Sequence, residues 1–155
     1  MRVGLGVDAH RFGGKPPLRL GGVVVDEDLG VEATSDGDVV AHALADALLG
    51  AAALGDLGSH YPSSDRRWRD ADSLGLLAQV AARVREEGVE PVYADVTVVA
   101  EQVRIAPHRQ AMRERLADAL GLPVESISVK ATTTDGLGLI GAGEGLAALA
   151  VVTVR

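Results

Sequence analysis

The stretch from Val39 to Ala53 constrains this chain more than any other. It is rich in alanine and apolar almost all round, broken only by His42 and Asp46. With Ser35 or Asp36 as its cap, the spacing predicts a helix from there to about Ala53. A helix with no polar face has no side to give to water, so the rest of the fold, or another subunit, must enclose it. A histidine and a carboxylate inside such a helix need partners.

Around this helix the chain alternates between strand and helix patterns. Residues 2 to 8 read as a first strand that runs on toward His10. Leu18 to Leu20 and Val23 to Val25, split by Gly21-Gly22, read as a short hairpin. Asp72-Ser73 opens a second helix to about Glu87, stopped by Gly88. Val92 to Ala100 alternates as a strand, and Pro107 opens a third helix over 108–120 that Gly121 ends. Ser126 to Thr134 and Leu146 to Val154 read as the last two strands. The mixed order predicts an α+β fold, one mixed β-sheet with helices packed on one face. At 155 residues the chain is expected to form one domain, 1–155, with no need of a disulfide, and it has no cysteine. The last strand carries almost no charge, which predicts burial on both faces and contact with a further subunit.

Composition narrows the function. The net charge of −7 and an aromatic content of 3% exclude the basic patches and stacking platforms of nucleic-acid binders. No charged, then apolar leader and no membrane-length apolar run is present, so the expectation is a cytoplasmic chain with no membrane partner. The glycine run Gly136 to Gly145 precedes a β-branched strand rather than a helix, so Gly141-x-Gly143 is not a dinucleotide fingerprint. Its glycines serve a turn or a close backbone approach.

The chemistry concentrates in three pieces. Asp8 and His10 are two apart on a strand and face the same way. His42 on the apolar helix offers a second imidazole. Two imidazoles and a carboxylate suit Zn²⁺ and leave a fourth position open for substrate. Asp38 and Asp46 flank His42 four residues to either side, which makes them candidates to accept its free ring N–H. Plainer readings stand beside these: an Asp-x-His pair arises by chance, His42 fits a satisfied core histidine, and Asp38 and Asp46 fit surface carboxylates. Thr132 to Thr134, with Lys130 nearby, offer hydroxyls and N–H groups to phosphate oxygens or are β-branched filler. His60 and His108 are read as surface histidines.

Gly6-Val7-Asp8-Ala9-His10, Ser35-Asp36-Gly37-Asp38 with His42, Asp46 to Ala52, Leu54-Gly55-Asp56-Leu57-Gly58, Ala71-Asp72-Ser73, Lys130 to Thr134 and Gly143-Glu144-Gly145 are carried in one order along the whole chain. In this the sequence resembles the 2-C-methyl-D-erythritol 2,4-cyclodiphosphate synthase family of the non-mevalonate isoprenoid pathway. The resemblance implies a homotrimer with sites between neighbouring subunits. It implies zinc on Asp8, His10 and His42, and a second cation, Mg²⁺ or Mn²⁺, on Asp135, where the family usually has Glu. Ser35, Asp56, Gly58, Tyr61 and Asp65 match the pocket for the phosphorylated methylerythritol. Ala100, Arg104, Ile105 and Ala106 match the cytidine segment, and Ala131, Thr132 and Thr133 the residues that reach nucleotide and phosphates from the adjacent subunit. Thr34 and Thr133 stand at the positions that steady the transition state.

The implied reaction is an internal phosphoryl transfer on a cytidine diphosphate-linked small molecule, releasing CMP. A zinc phosphohydrolase and a non-catalytic trimeric binding protein are the rivals on the same scaffold. Three positions depart from the family. Thr34 replaces a His, and losing one preorganised donor costs a factor of about 10² to 10³ in rate. Asp135 is one methylene shorter than Glu. Ala142 replaces an Arg, so with Val7 and Leu139 a cavity on the threefold axis is expected to be aliphatic and poor at holding a prenyl diphosphate.

Overall fold

A computed structural model describes all residues from Met1 to Arg155. Four strands form its main sheet: β1 (Arg2–Arg11), β4 (Pro91–Val99), β5 (Ile127–Thr132) and β6 (Gly145–Val154). Their spatial order is β1-β6-β4-β5. β6 is antiparallel to both β1 and β4, while β4 and β5 are parallel, so the sheet is mixed as expected. β1, β4 and β5 therefore all end at the same edge of the sheet.

The hairpin does not join this sheet. β2 (Leu18–Leu20) and β3 (Val23–Asp26) pair only with each other. The reason lies in their turn. The Gly21 and Gly22 N–H groups donate to the Asp38 carboxylate at 2.9 and 2.8 Å, which fastens the hairpin to the start of a helix instead of a strand edge.

That helix is α1 (Val39–Ala52), and its buried side chains run all round, from Val39 and Val40 to Leu49 and Ala51. Its cap is Asp38, a correction to the expected Ser35 or Asp36: the Asp38 carboxylate accepts from the Val40 and Ala41 N–H groups, both at 3.1 Å. Gly37, at φ 76, turns the chain just before it and rules out an earlier start. α1 packs on β1 and β6, α3 (Ser73–Glu86) packs on α1, and α4 (Arg109–Leu120) packs on α3 and β5. Two one-turn helices, α2 (Leu57–His60) and α5 (Gly138–Gly141), were not expected. The third helix opens as a 3-10 turn, Ala106–His108. No helix is long and apolar enough to cross a membrane.

The contact of α1 with β1 is unusually close. Gly4 and Gly6 face inward, and a Cβ at either would run into a carbonyl oxygen of α1, that of Ala47 or of Ala43. Asp8 and His10 continue the same inward face. The outer face is bare. Val3, Leu5 and Val7 of β1 are more than half exposed, and their cross-strand neighbours include Leu149 and Val151 of β6, 40% and 38% exposed. Within the single chain helices cover only one face of β6, which leaves the other for the subunit contact expected of it.

Candidate metal centre

Asp8, His10 and His42 meet where the end of β1 crosses the first turns of α1. Asp8 Oδ2 lies 2.8 Å from His42 Nδ1 and 3.1 Å from His10 Nε2, and the two ring nitrogens are 3.5 Å apart. A tetrahedron with bonds of about 2.0 Å has edges of about 3.3 Å, so the set fits a zinc-sized ion without rearrangement. The chemistry fits as well, since a carboxylate and two imidazoles bring mixed oxygen and nitrogen donors and leave a position open. Burial alone would raise the Asp8 carboxyl, but hydrogen bonds and charge from His10 and His42 outweigh it and hold Asp8 at about 2. Its hydrogen bond to the Asp8 carboxylate lifts His10 above its ordinary value against the opposing effect of burial.

The second nitrogen of His42 meets neither Asp38 nor Asp46, and the expected roles of both are corrected. The Asp38 carboxylate accepts from the backbone amides of Gly21, Gly22, Val40 and Ala41. Burial pushes the Asp38 carboxyl up. Asp46 accepts from the Leu57 N–H at 2.6 Å and so fixes the start of α2. His42 Nε2 instead faces Ser73 Oγ at 2.8 Å and Ser35 Oγ at 3.2 Å. Ser73 is in turn bonded to Asp36.

Two cavities share Thr34, and the smaller one reaches the triad. One, of about 170 Å³, is lined by His10, His42, Thr34, Ser35, Tyr61 and Trp68. The other, of about 400 Å³, is lined by Thr34, Ser63, Ser64, Asp65, Arg66 and Arg69. Tyr61 and Trp68 stack edge to face, with ring centroids 4.8 Å apart. The Trp68 indole N–H is buried with no acceptor. Asp56 caps α2, on which Gly58 lies, and Asp65 caps the turn Arg66–Trp68 while pairing with Arg67 at 2.6 Å. His60 is half-buried rather than on the surface, with Nε2 2.8 Å from the Leu54 carbonyl.

The remaining candidates gather at the shared edge of the sheet, beyond β6 from the triad. The Ala100 N–H donates to the Thr132 carbonyl at 3.0 Å, which sets the segment of Ala100, Arg104, Ile105 and Ala106 beside Ala131 and Thr132. Glu101 accepts from the Thr134 N–H and hydroxyl at 2.7 and 3.0 Å, so Thr134 has no free donor for phosphate. Lys130 is likewise engaged, 2.5 Å from Asp95. Thr133 and Asp135 lie within 3.3 Å of each other, and Asp135 adopts φ 53. β5 is three strand steps from β1, about 14 Å; beyond its end the chain turns back, so that Thr134 lines one cavity with His10, while Asp135 is not among the ligand atoms that converge at the triad. Leu139 lines a further cavity of about 530 Å³ with Leu137 and Ile140, but Val7 and Ala142 do not line it, and Arg11 and Glu144 bring charge to it.

The YgbB family model matches residues 1–155. A 2-C-methyl-D-erythritol 2,4-cyclodiphosphate synthase of Salinibacter ruber is 51% identical over 100% of this chain and 99% of its own length. One of Moorella thermoacetica is 53% identical over 98% of this chain and 93% of its own. The chain belongs to the 2-C-methyl-D-erythritol 2,4-cyclodiphosphate synthase family. Among solved structures, a synthase in its CDP-bound form superposes with a TM-score of 0.89 at 35% identity, covering 99% of this chain and all of that one. The bifunctional IspDF of Campylobacter jejuni superposes at 0.96 and 45% identity over 99% of this chain, which corresponds to 42% of that longer chain.

With family membership settled, the resemblance read from the motifs is correct, and neither the phosphohydrolase nor the non-catalytic reading is favoured. Sequence reasoning missed Ser73 as a partner of His42, Asp36 as the partner of Ser73, and Arg66 and Arg69 as neighbours of Thr34. The Ala71-Asp72-Ser73 motif carried the signal for Ser73. Nothing in the local sequence linked it to a histidine 31 residues away.

Proposed function

We propose that this chain converts 4-diphosphocytidyl-2-C-methyl-D-erythritol 2-phosphate to 2-C-methyl-D-erythritol 2,4-cyclodiphosphate and CMP, in the cytoplasm, as a homotrimer with active sites between subunits. The observation that carries this reading is the convergence of Asp8, His10 and His42 on a cavity that shares Thr34 with a second one, in a chain of this family. The substrate 2-phosphate oxygen forms a bond to the β-phosphorus as the bond to the CMP phosphate breaks, and CMP departs with the electron pair. Nucleophile and electrophile belong to one molecule, so the protein has to fold the substrate and offset its charge rather than supply a nucleophile.

Asp8, His10 and His42 would hold Zn²⁺, which supplies Lewis-acid polarisation of a phosphate oxygen when bound. Asp135 would hold Mg²⁺ or Mn²⁺. Asp56, Gly58, Tyr61 and Asp65 enclose the methylerythritol, and the Trp68 indole N–H is a free donor for one of its oxygens. Thr34 and Ser35 receive the attacking phosphate. Arg66 and Arg69, on the same cavity as Thr34, bring the positive charge that Thr lacks where relatives have His. Ala100, Arg104, Ile105 and Ala106 hold cytidine with Ala131 and Thr132. Asp135 lies outside the ligand cluster of its own chain, which supports a site in which Thr133 and Asp135 come from a neighbouring chain.

CMP release from this substrate tests the reading. Chelator-treated protein is expected to lose activity and regain it with Zn²⁺ and Mg²⁺ together. His42→Ala is expected to fall by at least about 10²-fold, with no rescue by added zinc. Unchanged CMP release by His42→Ala would remove the triad from the mechanism.

A further inference from the structure

Behind His42 lies a chain of groups that the reaction itself does not call for. Ser73, the first residue of α3, is 1% exposed, and its hydroxyl sits between His42 Nε2 at 2.8 Å and Asp36 Oδ1 at 2.5 Å. The Ser73 N–H also donates to Asp36 Oδ2 at 3.1 Å, so both oxygens of Asp36 hold Ser73, while Oδ1 also accepts from the Asp38 N–H at 3.2 Å. A serine hydroxyl has one proton, and a carboxylate has none to give. If that proton pointed at His42, Ser73 Oγ and Asp36 Oδ1 would face each other 2.5 Å apart with nothing between them. It therefore points at Asp36, and the oxygen lone pairs are left for His42 Nε2, which must carry a hydrogen. Ser35 Oγ, 3.2 Å from the same nitrogen, adds a second acceptor.

We infer that Ser73, held by Asp36, is a positioning residue for His42: it accepts the Nε2–H and fixes the tautomer whose Nδ1 lone pair faces Asp8 and His10. This rests on the metal-centre reading of the triad. On the far side Nδ1 lies 2.8 Å from Asp8 Oδ2, a contact that a proton bridges in the metal-free chain and that a bound cation would take over. A ligand held in the right tautomer and orientation loses nothing to ring flips when metal binds, and outer partners of this kind typically contribute 10- to 100-fold in metal affinity. The arrangement also ties the centre to the start of α3, which neither of the elements bearing the ligands would do alone.

The test uses the full chain. Zinc affinity is measured by competition with a chromophoric chelator for the unaltered protein, Ser73→Ala and Ser73→Thr, and long-range ¹H–¹⁵N spectra read the protonated nitrogen of His42. Ser73→Ala is expected to bind zinc 10- to 100-fold more weakly, while Ser73→Thr, which keeps the hydroxyl, stays within about threefold. In the unaltered protein the His42 proton is expected on Nε2 and slow to exchange, and in Ser73→Ala its exchange becomes fast. Unchanged affinity in a folded Ser73→Ala, or a His42 with its proton on Nδ1 alone, would overturn the inference. The spectrum of the unaltered protein decides even where a variant does not fold. An unaltered protein that binds no zinc overturns the metal-centre reading, and the tautomer in its metal-free spectrum still decides the role of Ser73.

Discussion

Asp8 and His10 set opposite limits on the pH at which the metal-free chain is most stable. Asp8 titrates at about 2 in the folded protein against an ordinary 3.8, so its contribution is complete above pH 4 and is lost as pH falls through 2. The shift corresponds to about 2 kcal/mol. His10 is raised above 6.5, so its contribution is complete below 6.5 and is lost as pH rises through the raised value. Zinc at the proposed centre would reverse the upper limb, because the ligand imidazoles must be deprotonated to bind it. Urea denaturation of chelator-treated protein is expected to show stability falling from pH 6 to 8, and zinc-loaded protein to show it rising. Parallel curves for the two forms would contradict a metal on these residues. The triad was legible in the sequence because strand alternation and one apolar helix were enough to bring its members forward. Ser73 and Asp36 were not, because a contact between the starts of α1 and α3 depends on how the intervening loop folds.

Among the elements, the strand–helix contact at Gly4 and Gly6 is what aligns the centre. A Cβ at Gly6 would meet the carbonyl of Ala43, the residue next to His42. Gly6→Ala is expected to destabilise the protein by about 1–3 kcal/mol through overpacking. Because it pushes α1 from β1, it should also weaken zinc binding. A Gly6→Ala protein with unaltered melting temperature and zinc affinity would mean that the close approach has no such role. The patterns that fixed α1, α3, α4 and the strands were long and periodic. α2 and α5 escaped notice because one turn is too short to carry a period. The cap of α1 was misplaced by two or three residues because Ser35, Asp36 and Asp38 are all good caps, and only the turn at Gly37 selects among them. The separate hairpin was hidden for a related reason: the carboxylate that holds its turn lies 16 to 17 residues away.

At the scale of the whole molecule, the outer face of the sheet is the unfinished part. Val3, Leu5 and Val7 with Leu149 and Val151 form an apolar surface, the kind a chain covers by assembly. The proposed trimer covers it and brings Thr133 and Asp135 of one chain toward the triad of another. Leu5→Glu is expected to leave each chain folded, since the residue contacts no core, yet to dissociate the assembly and abolish turnover. Light scattering should change from three times the 16.0 kDa chain mass to a single chain. An active Leu5→Glu monomer would contradict shared sites.

The proposed reaction at this centre is an intramolecular phosphoryl transfer, with Thr34 in place of the usual His. ³¹P NMR of the purified protein with its diphosphocytidyl substrate, Zn²⁺ and Mg²⁺ tests it most directly. Cyclic diphosphate is expected to appear in step with CMP. CMP accompanied only by open-chain phosphates, or substrate left unchanged, would contradict it.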